Sequence, residues 1–153
     1  MTILVTGATG RIGRHVVSEL LKRDAKVRVL TRDAAKADFP AGVEVVQGEF
    51  LDLDAMRAAF DGVRTLFLLN AVSGDEFTQA IIILNLAREA GVERVVYQSV
   101  FDAEGAVNVP HFAVKSGAER MLAAMDFSAT ILRPSYFIEN DVMIKDVIFD
   151  HGV

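Results

Sequence analysis

Six short apolar runs alternate along this chain with four longer stretches whose apolar residues recur at helical spacing. That alternation restricts the fold more than any other feature. Thr2–Thr6 (TILVT), Lys26–Leu30 (KVRVL), Val43–Val46 (VEVV), Thr65–Leu69 (TLFLL), Arg94–Tyr97 (RVVY) and Ala129–Leu132 (ATIL) are too short for helices and read as strands. Arg11–Arg23, Asp52–Phe60, Asp75–Ala90 and His111–Ala124 read as helices. Asp52 and Asp75 stand at N-cap positions, Gly62 and Gly91 stand where helices stop, and Asp33–Phe39 has room for a short helix before Pro40. Strands this continuously apolar are buried on both faces, which predicts a parallel sheet covered by helices on each side. Right-handed crossovers then favour an α/β, doubly wound parallel sheet. No linker, repeat or low-complexity segment interrupts the pattern, so one domain over residues 1–153 is expected. Tyr136–Val153 mixes apolar and acidic residues and declares no element of its own.

Composition narrows the function. A net charge of -5 argues against a general nucleic-acid binder, which needs a basic face. The chain has no cysteine, which excludes thiol catalysis, disulfides and cysteine-ligated metals and fits a reducing compartment. His15, His111 and His151 lack metal-ligand spacing, so no metal site is expected. The densest apolar stretch, AIIILNLA, is broken by Asn85 and followed by Arg88 and Glu89, so no membrane span is expected. No signal peptide is apparent, and the expected location is the cytoplasm. The AIIIL part of that helix is apolar around much of its circumference and suits either burial at the sheet or a subunit interface, as in a homodimer.

The first strand runs into TGATGRIG, with glycines at 7, 10 and 13. Such a triplet is weak by itself and can be a turn with incidental glycines. Its context, between a strand and an amphipathic helix in a βαβ unit, gives it meaning. Gly7 allows a sharp exit from the strand, Gly10 lets backbone amides approach a pyrophosphate, and Gly13 permits close helix packing. The helix N-terminus then offers unpaired N–H groups and partial positive charge to phosphates. A P-loop is set aside, because Ile12-Gly13-Arg14 follows Gly10 where a Lys-Ser/Thr pair would be needed.

The end of the second strand bears on the choice of dinucleotide. An acid there usually binds the ribose 2′-hydroxyl of NAD. This chain reads Val29-Leu30-Thr31-Arg32-Asp33, with Lys36 beyond. Arg32 is placed to pair with a 2′-phosphate, and Arg11 is placed to approach the same side from the glycine loop. Asp33 opposes this reading unless it caps the following turn. NADP(H) is favoured over NAD(H), and Lys36 is either a phosphate ligand or a solvated lysine.

TGATGRIG, VRVLTRDAAKA, GVEVVQGEFLD, AREAGVERVVYQSV, HFAVKSGAERML and ILRPSYFIEN together resemble the NmrA-like, atypical short-chain dehydrogenase/reductase family. The resemblance runs in order over essentially the whole chain. The family includes NADPH-dependent quinone reductases, isoflavone-reductase-like enzymes and redox-sensing regulators. The resemblance implies a Rossmann domain with strand order 3-2-1-4-5-6. It places Gly7, Thr9, Gly10, Arg11, Ile12 and Gly13 around the pyrophosphate and Arg32 at the 2′-phosphate. Glu49 and Phe50 would line the adenine, Asn70 and Ala71 the inner ribose, and Pro134 to Phe137 the nicotinamide.

Two departures stand out. Most short-chain dehydrogenases carry Tyr-x-x-x-Lys, whereas HFAVK puts His111 in the tyrosine slot and keeps Lys115, about one helical turn away. Val100 takes the place of the serine that assists the tyrosine. Tyr97 lies inside a strand and Tyr136 follows one, so neither is an obvious substitute. Related chains also continue past the position of Val153, so much of the substrate pocket is expected outside these residues.

The reading that results is an NAD(P)H-dependent reductase delivering hydride to a small quinone-like or conjugated carbonyl substrate. Lys115 serves as ribose ligand and His111 as proton donor, against the plainer readings of a surface lysine and a partly exposed histidine. Phe137 is either a stacking surface for a flat substrate or a core residue, and Tyr136 and Asn140 lie beside it. Asp52 and Asp54 read as helix caps rather than a catalytic pair. The alternatives are a non-catalytic NADP(H) sensor that reports to a partner protein and, weakened by the missing tyrosine, a nucleotide-sugar epimerase.

Overall fold

The computed structural model describes residues 1–151, apart from the side chains of Lys36, Met143 and His151. The reading of Lys36 as a phosphate ligand or a solvated lysine thus falls outside the described side chains. Strand β1 (Thr2–Val5) leads to helix α1 (Arg11–Leu21), then β2 (Lys26–Thr31), a 3₁₀ turn at Ala34–Lys36, and β3 (Glu44–Gln47). Helix α2 (Leu53–Phe60), β4 (Val63–Leu68), α3 (Glu76–Glu89), β5 (Arg94–Gln98), α4 (Pro110–Ala123) and β6 (Ser128–Leu132) follow. The undeclared C-terminal stretch forms a 3₁₀ turn at Ile138–Asn140 and helix α5 (Asp141–His151).

All six strands are parallel, in the order β3-β2-β1-β4-β5-β6. The chain winds outward from β1 to β3, then jumps back across the sheet and winds the other way. Because each crossover is right-handed, reversing direction moves the helices to the opposite face. The core reflects this. Leu4, Phe60, Leu66, Leu68, Ile83, Leu84, Val95, Tyr97 and Leu122 join on the face covered by α2, α3 and α4. Val5, Val17, Val27, Val29 and Phe67 form a smaller cluster on the face of α1. A fully buried Leu or Phe contributes about 1.5–3 kcal/mol, so the three-helix face dominates the apolar driving force. Ala80, Ile83 and Leu84 belong to that core, which settles most of the AIIIL stretch as sheet packing.

Most element boundaries fall within two residues of the sequence pattern, and the differences have local causes. Strand β4 starts at Val63, where its pairing with β1 carries a register irregularity between Thr2 and Ile3. Asp52 caps α2 by accepting the Ala55 amide at 3.0 Å. Asp75 occupies the N-cap of α3 without capping an amide; its carboxylate instead accepts the Ser73 hydroxyl at 2.8 Å. Asp54 forms an exposed pair with Arg57 in α2.

The glycine turn explains how α1 reaches the end of β1. Gly7 adopts φ +62°, and a Cβ there would lie 2.9 Å from the Leu69 carbonyl oxygen. A Cβ on Gly13 would lie 2.2 Å from the Gly7 carbonyl oxygen and 2.6 Å from Ala8 Cα. Helix α1 thus lies directly on the turn before it, closer than any side chain permits. Gly74 has nothing within 4 Å of its missing Cβ. Gly13→Ala is therefore expected to lose about 3 kcal/mol of stability in urea unfolding, and Gly74→Ala to stay within about 0.5 kcal/mol. Equal stability of the two variants contradicts the contact.

Candidate cofactor and active site

With every strand parallel, the six C-terminal strand ends share one edge. The winding reverses between β1 and β4, which opens a crevice at that edge. Thr6 ties the two central strands together there: its hydroxyl accepts the Leu69 amide at 2.9 Å and lies 3.1 Å from the Leu69 carbonyl oxygen.

Helix α1 begins at this crevice with no side-chain cap. Its first helical bond runs from the Arg14 amide to the Gly10 carbonyl at 3.0 Å. The amides of Arg11, Ile12 and Gly13 precede that bond and have no acceptor in the helix. Gly10 is exposed in extended backbone, and only the Gly7 carbonyl oxygen, at 3.2 Å, lies near its missing Cβ. The result is a bare main-chain cradle at a helix N-terminus, suited to a pyrophosphate. Thr9 is exposed in the loop, and its carbonyl accepts the Arg14 guanidinium at 3.1 Å. Arg14 also donates to the Asp38 carbonyl and covers the Phe39 ring, pinning the loop to the segment after β2. The sequence reading assigned Arg14 no role.

At the ends of β2 and β3, Arg32, Gln47, Gly48, Glu49 and Asp52 line an open depression of about 500 Å³. Among the described residues the Arg32 guanidinium has no protein partner. Asp33 is engaged: its carboxylate accepts the Ala35 amide at 3.1 Å, capping the turn. Glu49 is exposed in the depression, while Phe50 packs half-buried against the main core. The Arg11 guanidinium donates to the Glu139 carbonyl at 3.2 Å, beyond β6.

Asn70, at the end of β4, is 5% exposed, and both its amide nitrogen and its oxygen lack a partner. A buried amide with neither atom paired fits a polar ligand that pairs both. Ala71 beside it is exposed. The cradle and this orphaned amide are the two features that match a dinucleotide.

Lys115 is only 4% exposed, which overturns its reading as a surface lysine. It reaches from α4 to the end of β5, where Nζ donates to the Gln98 carbonyl at 3.0 Å and lies 5.1 Å from the Tyr97 ring centroid. It also forms an ion pair of 2.8 Å with Glu76 Oε1. His111, half-buried one turn earlier on α4, places Nδ1 3.1 Å from Glu76 Oε2. Glu76 is 1% exposed and was missed in the sequence. An acid in the first turn of a helix reads as a dipole partner, and nothing local connects it to α4. Burial first, then the charges of Glu76 and Glu119, push the Tyr97 hydroxyl well above its usual range. Tyr97 is thus a neutral core residue and does not replace the missing tyrosine.

Near β6, burial pushes the Glu119 carboxyl up, but hydrogen bonds from Arg133 and Ser99, with the Arg133 charge, outweigh it and hold the group low. This network locks α4 to the ends of β5 and β6 and occupies Ser99. Pro134 is half-buried, and its carbonyl accepts the Phe101 amide at 2.9 Å. Phe137 is 37% exposed, and Tyr136 and Asn140 are exposed beside it. The Tyr136 hydroxyl donates to Asp141, and that bond raises its pKa. No cluster of potential metal ligands occurs among the described residues, and no helix among them is long and apolar enough to cross a membrane.

A doubly wound sheet with a bare glycine cradle at its switch point defines the Rossmann class. Residues 1–149 match the NmrA-like family, and the chain belongs to it. Quinone oxidoreductase 2 of Escherichia coli is 30% identical over 99% of this chain and 54% of its own length. The NAD(P)H azoreductase of Xenophilus azovorans is 28% identical over 98% of this chain and 53% of its own length. A crystal structure of an NADPH-dependent quinone oxidoreductase from E. coli, complexed with NADPH, superposes with a TM-score of 0.88 at 30% identity, covering 98% of this chain and 54% of that one. The chain spans about half the length of the curated relatives it matches.

The unpaired amide of Asn70 yields a stability prediction. In the ligand-free protein, Asn70→Leu is expected to leave stability unchanged or raise it by about 1 kcal/mol, because it removes a buried polar group that has no partner. Thermal unfolding measures this. A clear loss of stability instead shows that the amide is already satisfied.

Proposed function

We propose that residues 1–153 form one dinucleotide-binding domain of an NADPH-dependent reductase whose acceptor is a quinone-like or conjugated carbonyl compound. The observation that carries this reading is the bare cradle of Gly7, Gly10 and Gly13 at the C-terminal edge of the sheet, the edge on which the orphaned Asn70 follows β4 and Lys115 reaches the end of β5. The amides of Arg11, Ile12 and Gly13 hold the pyrophosphate, and Thr9 borders it. Asn70 and Ala71 meet the inner ribose, and Lys115 donates to a ribose hydroxyl. Its ammonium has three N–H groups. One donates to the Gln98 carbonyl, while Glu76 Oε1 stands 2.8 Å from the ammonium as its counter-charge without accepting a hydrogen bond, so N–H capacity remains for a ligand.

Arg32 supports NADP(H) over NAD(H), since its guanidinium is unpaired among the described residues while Asp33 is committed to its turn. Glu49 and Phe50 stand toward the adenine end. When bound, the nicotinamide supplies a hydride. Pro134 and Phe137 border it, and exposed Phe137 offers an aromatic surface for a flat acceptor. Reduction of a quinone to its hydroquinone consumes one hydride and one proton. Water or His111 supplies that proton, so the reaction tolerates loss of the tyrosine and serine.

Two measurements test the reading. Arg32→Ala is expected to weaken NADPH binding by about tenfold to a hundredfold and NADH binding by less than about twofold. An unchanged preference removes Arg32 from the site. The full-length protein is expected to oxidise NADPH in the presence of small quinones. Tight binding of both NADP and NADPH with no turnover across a quinone panel replaces the reductase with a sensor.

A further inference from the structure

We infer that Glu76 is a positioning residue. It holds the Lys115 ammonium in place and fixes the His111 ring as the tautomer with its proton on Nδ1 and a bare Nε2. This rests on the functional reading above for its ligand, but the tautomer is a property of the chain alone.

Three observations carry it. Glu76 is 1% exposed, although a carboxylate in the first turn of a helix could interact with the helix dipole equally well from water. Burying it is unfavourable unless it is paired, and both its partners come from α4, with His111 lying 35 residues further along the chain. Finally, the two oxygens divide the work: Oε1 takes Lys115 and Oε2 takes His111.

The chemistry follows from donor and acceptor types. An ionised carboxylate only accepts hydrogen bonds, so the contact at 3.1 Å requires a hydrogen on Nδ1. In the neutral ring the lone pair then sits on Nε2. His111 therefore meets a ligand or solvent as an acceptor at Nε2, and it can donate from Nε2 only after taking up a second proton. The same carboxylate balances that imidazolium. Its other oxygen, as counter-charge, the Gln98 carbonyl, as hydrogen-bond acceptor, and the Tyr97 ring fix where the ammonium sits, so Lys115 meets a ligand from one position. A structural ion pair alone would need one partner and would leave the tautomer free.

Two readouts test this. Ring ¹⁵N NMR of the ligand-free wild type, recorded at a pH at which the ring carries a single proton, is expected to show that proton of His111 on Nδ1, and Glu76→Gln is expected to lose that single tautomer. By fluorescence titration, Glu76→Gln is expected to bind NADPH about tenfold to a hundredfold more weakly. Glu76→Asp, which keeps the charge, is expected to recover part of the loss. A wild-type ring protonated on Nε2 overturns the inference. So does a folded Glu76→Gln protein that binds NADPH within about twofold of wild type. If that variant does not fold, the ring measurement on wild type decides. Wild-type protein that binds no NADPH overturns the functional reading, and the ring measurement then decides this inference by itself. Binding by wild type with no change in the variant overturns this inference alone.

Discussion

The approach of α1 to the turn before it is the constraint on which the rest of the site depends. The Gly13 Cα packs against the Gly7 carbonyl where a methyl group would stand 2.2 Å from the oxygen. That contact brings the uncapped start of α1 to the crevice between β1 and β4. Were the helix displaced outward by a side chain, its free amides would point past the crevice. Gly7, at φ +62° and close to the Leu69 carbonyl, sets the turn against β4 in the same way. Thr6 completes the join by bonding the β4 backbone from the end of β1. Two chain segments 63 residues apart thus become one rigid rim.

Across the crevice the protein uses charge where the glycine side uses bare backbone. Buried Glu76 and Lys115 and half-buried His111 form a cluster in which one carboxylate serves two bases. Nearby, Glu119 ties α4 to Arg133 and Ser99. Both clusters anchor α4, the helix that carries Lys115 and His111. Buried ionic groups contribute little net stability, but they tolerate few alternative arrangements, because each unpaired charge would be left in a poorly solvated place. Such clusters hold side-chain positions well, which is what a ligand site requires.

Legibility from sequence varied with the range of the interaction. The alternation of apolar runs reported the strands and helices because burial on two faces needs local periodicity. Asp52 and Asp33 were read as turn and helix caps from near neighbours, and both accept amides two or three residues on. The bond from Arg11 to the Glu139 carbonyl was not legible, since it depends on where a segment 128 residues away returns. Phe137 stayed ambiguous for a similar reason: a phenylalanine after a strand is buried or exposed according to what covers it. Glu76 was not found at all, because its partners lie on a helix that meets α3 only after the sheet has formed.

By itself, the amino-acid sequence determined the parallel α/β class, the glycine turn, and, through resemblance, the family and its strand order. Those features follow from local periodicity, backbone freedom and spacing, which are written in consecutive residues. Tertiary structure alone decided that Lys115 is buried, that Glu76 joins it to His111, that Arg11 bonds the Glu139 carbonyl, and that Asn70 is left with an unpaired amide. Each of these depends on which distant groups burial brings within a few ångströms, and no local pattern encodes that distance.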